Sequence, residues 1–181
     1  PDIREGLALR FENVDFAYPD ASRPILEKAS FSVTPGQTVF IKGTNGSGRS
    51  TLLGLMAGFY TPDVGSITIF GDEARTIDRS RLSQLVGYLP QRAVMYDGTL
   101  LQNATMFRDE IADDAIAMAR QLGFEDFILA LPQGWETRVG DSAAESLPPG
   151  LRQRIGIIRG LAPNPDILLF DDATASMDNE G

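Results

Sequence analysis

The sequence predicts an α/β fold with a mostly parallel core, and three observations lead to this prediction. The apolar segment "QTVFIKG" runs into a glycine-rich loop and then into a helical pattern, which is the order of a βα unit. A second apolar run, "PDILLFDD", ends on two aspartates and is typical of a buried parallel strand. Between these segments, residues 99–131 carry mostly helical patterns. The expected order is strands, a βα core, a helical insert and a return to a core strand.

The individual elements follow from local patterns along the chain. Residues 7–18 alternate apolar and polar side chains for part of their length, as a half-buried strand does. "ASFSV" and "QTVFIKG" are further predicted strands, separated by the turn signal Pro35-Gly36. "STLLGLMAGF" has helical spacing and ends near Gly58, while "GSITIFG" and "LVGYLP" are short predicted strands. The helical insert consists of "TLLQNATMF", "ADDAIAMARQLG" and "FEDFILAL".

The composition narrows the classes of function. The chain of 181 residues is long enough for one domain with a sizeable core, and 43% hydrophobic and 23% charged residues are ordinary for a globular protein. Its net charge of -9 argues against non-specific nucleic-acid binding, which needs a basic face. The chain contains neither cysteine nor histidine. This excludes disulfides, thiolate metal sites, histidine-ligated metals and His-based triads.

Residues 43–51, "GTNGSGRST", have the spacing of a phosphate-binding P-loop everywhere except at the lysine, which is replaced by Arg49. The glycines let successive backbone N–H groups curl around phosphate oxygens, and the start of the following helix adds its positive dipole end. Ser50 would supply a hydroxyl group to Mg²⁺. The competing interpretation is a Gly/Ser turn between a strand and a helix. The favoured interpretation is the core of a P-loop NTPase.

Three other residues could complete a nucleotide site. Asp171 ends an apolar strand, where a Walker B strand presents a carboxylate to the Mg²⁺ shell. Gln91 follows a strand in "YLPQ" and could reach the metal and the attacking water. Tyr18 precedes the first core strands, where its ring could stack on a purine. The ordinary alternatives are an acidic turn, a surface glutamine and a packed strand aromatic.

Taken in order, these segments resemble the nucleotide-binding domain of an ABC transporter, from about residue 8 to the C-terminus. "LVGYLPQRAVMYDGTLLQNATMF" resembles the Q-loop region of exporter-type members, including type I secretion ATPases. "LPQGWETRVGD" is similar to the segment that faces the coupling helices of the membrane domain. "LPPGLRQRIGIIRGLAPNPDILLFDDATASMD" aligns with the signature loop, its helix, the Walker B strand and the D-loop.

The resemblance implies an antiparallel β lobe together with the P-loop core over residues 1–91. It also implies a helical lobe over residues 92–150 and a return to the core over residues 151–181. The family's switch histidine and last strands lie further from the Walker B strand than the ten positions that follow Asp171, so the domain is expected to be incomplete at its C-terminus.

The resemblance also assigns roles to residues. Tyr18 would stack on adenine, Asp172 would occupy the general-base position, and Asp178 would lie on a dimer interface. Gln91 would sense the γ-phosphate and act in catalysis with Asp172. The metal ligands of a bound Mg²⁺ would be Ser50, Gln91 and Asp171. The ATP contacts would come from Gly43, Thr44, Asn45, Gly46, Ser47, Gly48, Arg49, Ser50 and Thr51, and, toward a partner's nucleotide, from Pro148, Pro149 and Gly150.

The family context implies partners and a location as well. Its members work as head-to-tail dimers in which each ATP lies between one P-loop and the partner's signature loop. The expected partners are therefore a second nucleotide-binding domain and the transmembrane domain of an exporter, and no nucleic acid. The expected location is the cytoplasmic face of the inner or plasma membrane, through a fused or associated membrane domain.

The chain departs from the family pattern in three motifs that affect catalysis. Arg49 is a planar fork rather than a compact ammonium, so it fits the lysine's place between the β- and γ-phosphates poorly. Asp172 stands where the family has glutamate and is one methylene shorter, although a general base must come within ~3 Å of its water or act through another water. The signature LSGGQ is replaced by "LPPGL", in which Pro148 and Pro149 lack the backbone N–H groups that would face the partner's γ-phosphate.

These departures predict an ATP-binding domain of an ABC exporter in which nucleotide binding is retained and hydrolysis is weak. Two alternatives stay open. One is a fully competent ATPase, in which Arg49 reflects only the arginine-rich composition of a chain with lysine at Lys28 and Lys42 alone. The other is a pseudo-ATPase whose fold serves only to dock a membrane domain.

Overall fold

The structure is a computed structural model that describes residues 6–140 and 147–171. The chain divides into two compact units, residues 1–86 and residues 87–181. Within the described ranges, no helix combines the length and apolar character that crossing a lipid bilayer requires.

The first unit is built on a four-stranded antiparallel sheet in the order β2-β1-β3-β4. Its strands are β1 (Leu9–Phe16), β2 (Leu26–Val33), β3 (Val64–Ile69) and β4 (Asp72–Glu73). β1 lies in the middle, with Leu9 opposite Val33 of β2 and Ile69 of β3. This sheet confirms the antiparallel β lobe expected near the N-terminus.

A bulge in β1 explains why its sequence alternates for only part of its length. Leu9 and Phe11 are buried, and the buried positions then change phase to Val14 and Phe16. The pairing with β2 shifts register between Phe11 and Val14, around Asn13, whose φ is 47°. An extra residue at a bulge turns the following side chains to the other phase, so both halves of the strand face the core.

Two helices complete the first unit, α1 (Arg49–Met56) and α2 (Arg79–Leu85), with a 3₁₀ turn at Ala74–Thr76. α1 buries Leu53, Leu55 and Met56 and ends two residues before Gly58, as the sequence predicts. At the start of α2, the Asp78 carboxylate accepts a hydrogen bond from the Ser80 amide at 2.8 Å, the usual N-cap contact.

The strand predicted over "QTVFIKG" is wrong. Residues 37–44 belong to none of the three sheets in the described part of the chain. Val39 and Phe40 are 48% and 82% exposed. The apolar pattern predicted a strand, but a strand is held by the hydrogen bonds of a neighbouring strand, and the described sheets provide none here. The glycine loop is therefore preceded by irregular chain and followed directly by α1.

The second unit contains the predicted helical insert and the return strand. Its strands are β5 (Val86–Leu89), which begins at the last residue of the first unit, β6 (Gly98–Thr99), β7 (Arg138–Val139) and β8 (Ile167–Phe170). Its helices are α3 (Leu100–Thr105), α4 (Ala112–Gln121), α5 (Glu125–Leu129) and α6 (Pro149–Leu161), with 3₁₀ turns at Asp109–Ile111 and Gly134–Glu136. The three helical patterns of the insert are thus confirmed as α3, α4 and α5.

The core of the second unit forms around α6. Ile155 and Ile158 of α6 are fully buried and pack with residues of the three shorter helices. These partners are mainly small or branched side chains: Leu100, Ala104, Ala115, Ala119 and Ile128. The alanines let the helix backbones approach closely, so α6 becomes the scaffold of this unit.

β5 and β8 run in the same direction. The amide of Asp171, directly after β8, donates a 2.9 Å hydrogen bond to the carbonyl of Leu89, the last residue of β5, so both strands end at the same edge. β8 was predicted to be buried, but Leu168 and Phe170 are 43% and 55% exposed. Alternate side chains of a strand point to opposite faces, and in β8 only the face of Leu169 is buried.

Candidate nucleotide-binding site

The glycine loop forms the entry to α1. Gly46 and Gly48 have φ values of 80° and 88°, a region that side chains with a Cβ rarely occupy. The amide of Ser47 donates to the carbonyl of Thr44 at 3.1 Å, and Gly48 is the N-cap residue of α1, which no side chain caps. Residues 42–47 are exposed. The positive dipole end of α1 therefore begins at an exposed, glycine-rich loop, which is the environment in which proteins bind phosphate.

Gly48 cannot carry a side chain without a collision. A Cβ at this position would lie 2.6 Å from Cγ2 of Ile25, in the segment that leads into β2. At Gly46 nothing lies within 4 Å of the same virtual atom, so the centre of the loop is open. The two glycines thus have different functions: Gly48 permits close packing beneath the loop, and Gly46 leaves space above it.

Arg49 is half-buried and folds back along the loop. Its Nη2 atom lies 3.5 Å from Oδ1 of Asn45, one helical turn earlier in the chain. The guanidinium group therefore stays beside the loop and supplies positive charge there, although it is broader than the ammonium of a P-loop lysine.

Tyr18 is joined to the first turn of α1. Its hydroxyl lies 3.0 Å from Oγ1 of Thr51, a buried side chain directly after Ser50. The Tyr18 ring packs edge-on against Phe16 and Tyr60, with centroids 5.2 and 5.5 Å away, and the residue is 37% exposed. An exposed aromatic ring is thereby fixed within reach of the loop, as a purine platform requires.

Tyr60 is a site neighbour that the sequence analysis missed. Hydrogen bonding with Tyr18, followed by burial, raises the pKa of the Tyr60 hydroxyl above its ordinary value. Tyr60 follows the end of α1, and no motif marks it, since its position beside Tyr18 depends on the turn at Gly58.

In the second unit, Asp171 and Gln91 both follow parallel strands. The hydroxyl of Tyr88 donates to Oδ2 of Asp171 at 3.0 Å, which orients that carboxylate. Gln91 lies two residues after β5 and is exposed. Tyr88 is a second residue that the sequence analysis missed, because a tyrosine inside a strand pattern is usually a packing residue.

The signature segment leads directly into α6. Pro148 is the N-cap residue, Pro149 is the first helical residue, and Gly150 follows in the first turn. The amides of Leu151 and Arg152 donate to the Pro148 carbonyl at 3.0 and 3.2 Å. Proline is well tolerated at the first helical position because the N–H group that it lacks makes no hydrogen bond within the helix in any other residue. The helix therefore forms normally while its start lacks two backbone donors.

The predicted site residues fall into two groups. Tyr18 and residues 43–51 lie in the first unit, and Gln91, residues 148–150 and Asp171 lie in the second. Asp172 and Asp178 lie outside the described residues.

The donors predicted for Mg²⁺ fit an ion that arrives with a nucleotide. Ser50, Gln91 and Asp171 offer one carboxylate, and no cluster of three His, Cys, Asp or Glu side chains that could hold a metal is found in the described ranges. Magnesium is commonly bound through one or two carboxylates, several waters and the phosphates of a substrate.

Comparisons with known proteins place the chain in a family. The profile of the ABC transporter family matches residues 26–175. ATP-binding cassette sub-family B member 6 of Rattus norvegicus is 39% identical over 171 residues, which cover 94% of this chain and 20% of that protein. The mitochondrial iron-sulfur clusters transporter ABCB7 of Danio rerio is 38% identical over 172 residues, covering 94% of this chain and 23% of that protein.

A solved structure supports the same placement. A bacterial Atm1-family ABC exporter with ATP bound matches with a TM-score of 0.84 and 38% identity, over 97% of this chain and 30% of that one. The chain spans between 14% and 30% of the length of the curated relatives it resembles. The narrower expectation of a type I secretion ATPase stays a prediction. The profile match and the similarity to these exporters show that the chain belongs to the ABC transporter family, as a nucleotide-binding domain of the exporter kind.

Proposed function

We propose that this chain binds Mg-ATP as the nucleotide-binding domain of an ABC exporter, couples binding to export, and hydrolyses ATP only slowly. The observation that carries the proposal is the loop of residues 43–51, which opens onto the start of α1 with Tyr18 joined to Thr51 beside it.

The residues of the first unit would hold the nucleotide. Backbone N–H groups around Gly46 and Gly48 would contact the phosphates, helped by the α1 dipole, and Arg49 would add positive charge. The Tyr18 ring would stack on adenine. Ser50 would offer its hydroxyl to the metal.

The residues of the second unit would act at the γ-phosphate end. Asp171 would take part in the metal shell with its carboxylate held by Tyr88. Gln91 would contact the γ-phosphate and the attacking water, and Asp172 would accept the proton from that water. Bound Mg²⁺ would neutralise charge that develops on the phosphates.

Slow hydrolysis follows from the chemistry of the three departures. Arg49 affects how the phosphates are bound, and Asp172 affects the activation of the attacking water. The pair Pro148-Pro149 affects the contact with the partner's γ-phosphate. Each change is expected to cost about one to several kcal/mol of transition-state stabilisation, which is about ten- to a thousand-fold in rate.

The proposed assembly pairs this chain head-to-tail with a second nucleotide-binding domain and with a transmembrane domain, at the cytoplasmic face of a membrane. In such a dimer one composite site uses this chain's Arg49 and Asp172, and the other uses its Pro148 and Pro149. One chain would therefore impair both sites, unless its partner compensates.

Nucleotide titration is the first test. We expect Mg-ATP and Mg-ADP to bind with a Kd between about 1 μM and 1 mM, or about -8 to -4 kcal/mol, in calorimetry. The absence of both heat and thermal shift at several millimolar nucleotide would exclude ATP binding and favour the docking-module alternative.

Turnover in the assembled exporter is the second test. Wild-type hydrolysis should be slow, and Arg49→Lys with Asp172→Glu should raise phosphate release by more than either change alone, since both act on one transition state. A wild-type rate near the ~10 s⁻¹ of a median enzyme would show a competent ATPase instead.

A further inference from the structure

The segment that carries Gln91 lies along one face of α6. We define residues 90–97, between β5 and β6, as the Gln91 loop. Three positions of α6 engage this loop directly or through one intermediate side chain, and they are residues 153, 156 and 159.

The first contact lies beside Gln91 itself. The Gln153 side chain is only 3% exposed, and its Nε2 atom donates a 3.1 Å hydrogen bond to the carbonyl of Pro90. Pro90 precedes Gln91 directly, so this bond fixes the peptide group from which Gln91 extends. A buried amide that bonds a distant backbone carbonyl specifies a position as well as adding stability.

The second contact is a close approach of the loop to the helix. A Cβ on Gly156 would lie 2.5 Å from the Cβ of Ala93, so the absence of a side chain at 156 allows Ala93 to reach the surface of α6. The loop therefore packs on the helix backbone at this point.

The third contact runs through Asn103 of α3, which is fully buried. Its Oδ1 atom accepts from the Tyr96 amide at 2.7 Å, and its Nδ2 atom donates to the Tyr96 and Thr99 carbonyls at 2.9 and 3.0 Å. Arg159 of α6 donates through Nε to the Asn103 carbonyl at 2.8 Å, and its guanidinium lies 5.5 Å from the centroid of the Tyr96 ring. Asn103 thus joins the far end of the loop to α6.

The contacts keep a constant spacing. Positions 153, 156 and 159 lie three residues apart on one helix face, and they meet positions 90, 93 and 96 in the same order. We propose that Gln153 and Gly156 are positioning residues that set the place of Gln91, so that α6, the helix that begins at the signature segment, determines how Gln91 meets the γ-phosphate. The role of Gln91 at the γ-phosphate rests on the proposed function; the attachment of its loop to α6 does not.

Hydrogen exchange in the nucleotide-free chain tests the attachment. Gln153→Leu keeps the approximate size of the side chain and removes its donor, and we expect amides of residues 91–96 to exchange faster by about two- to tenfold, the worth of one hydrogen bond. Gln121→Leu, at an exposed position of α4, is the matched control. Equal exchange in the two variants would overturn the proposal.

The preference for Mg-ATP over Mg-ADP tests whether the attachment to α6 sets the position of Gln91 at the γ-phosphate. Gln153→Leu should lower the ratio of Mg-ATP to Mg-ADP affinity by about two- to tenfold, in the direction produced by Gln91→Ala. In the double variant the effect of Gln153→Leu should vanish, because a residue that acts through Gln91 has nothing left to position. Additive effects would show a merely structural role. If the wild-type chain binds no nucleotide, the proposed function fails, while the exchange experiment still decides the attachment.

A compensating pair gives an independent test. Gly156→Ala favours the helix by its propensity but pushes Ala93 away, so it should accelerate loop exchange and lower the ATP preference as Gln153→Leu does. Adding Ala93→Gly restores the space and should restore both readouts. Failure of this rescue, with the chain still folded by circular dichroism, would count against the proposal.

Discussion

The two helix starts of this protein, at α1 and at α6, are built in opposite ways. α1 begins after Gly48, in an exposed loop in which Gly46 and Gly48 have positive φ values. α6 begins after Pro148, with Pro149 as its first residue. The first start offers backbone donors, and the second has lost two of them.

The difference shows that folding and function make different demands on a helix start. The first N–H groups of a helix have no partner within the helix, so replacing them by proline costs the fold little. A phosphate ligand depends on the same groups. The start of α6 can therefore lose its ligand donors while α6 still serves as the scaffold of its unit.

The largest expected effect comes from adding a side chain at Gly48, at the start of α1. In Gly48→Ala, the positive φ costs about 1–2 kcal/mol, and the approach to Ile25 adds about 1 kcal/mol or more. We expect Mg-ATP affinity to fall at least about tenfold in calorimetry, together with the free energy of unfolding.

Gly71→Ala is the matched control for this variant. Gly71 has the same φ of 88°, but nothing lies within 4 Å of its virtual Cβ. It should lose only the conformational cost and keep its nucleotide affinity. Equal losses of affinity in the two variants would mean that the start of α1 is not the phosphate site.

A smaller effect is expected from replacing the two prolines at the start of α6. Pro148→Ser with Pro149→Gly restores two donors and should raise turnover about tenfold, but only where this chain faces a partner's nucleotide. The same change should lower the free energy of unfolding by about 0.5–1 kcal/mol, because proline restricts the unfolded chain. Phosphate release in the dimer and denaturant unfolding measure the two effects. A gain of turnover in the monomer would contradict the assignment.

The smallest expected effect is that of Tyr18→Phe, which keeps the ring and removes the hydroxyl that meets Thr51. Nucleotide affinity should change by less than about threefold, since stacking needs only the ring, and stability should fall by about 0.5–1.5 kcal/mol. The pKa of Tyr60 should return toward its ordinary value of 10.0, because its raised pKa depends first on Tyr18. Spectrophotometric titration of the tyrosines measures this shift.

The raised pKa of Tyr60 fixes the direction in which stability changes with pH. A raised pKa means that the folded chain holds the Tyr60 proton more tightly than the unfolded chain. That contribution stabilises the fold below pH 10 and is lost as the pH rises through the folded pKa. The alkaline decline in stability should therefore be shallower in Tyr18→Phe, and an unchanged profile would contradict the coupling of the two tyrosines.

Local patterns predicted those elements whose stability depends on nearby residues. The helices α3, α4 and α5, the end of α1 near Gly58 and the strand β3 all follow from spacing and punctuation along the chain. The strand expected over residues 37–43 failed, because sheet hydrogen bonds come from elsewhere in the sequence. The exposed side chains of β8 were missed for the same reason, since burial depends on what covers each face.

The sequence by itself determined the chemistry available to this protein: a glycine loop with an arginine, an aspartate at the end of an apolar run, and prolines in the signature segment. Residue identity and spacing fix which donors, charges and hydroxyls exist. Only the tertiary structure decided that Tyr88 holds Asp171, that Tyr18 meets Thr51, and that α6 carries the Gln91 loop. Each of these contacts joins residues at least 33 positions apart, and no local pattern encodes a contact between side chains that only the packing of the chain brings together.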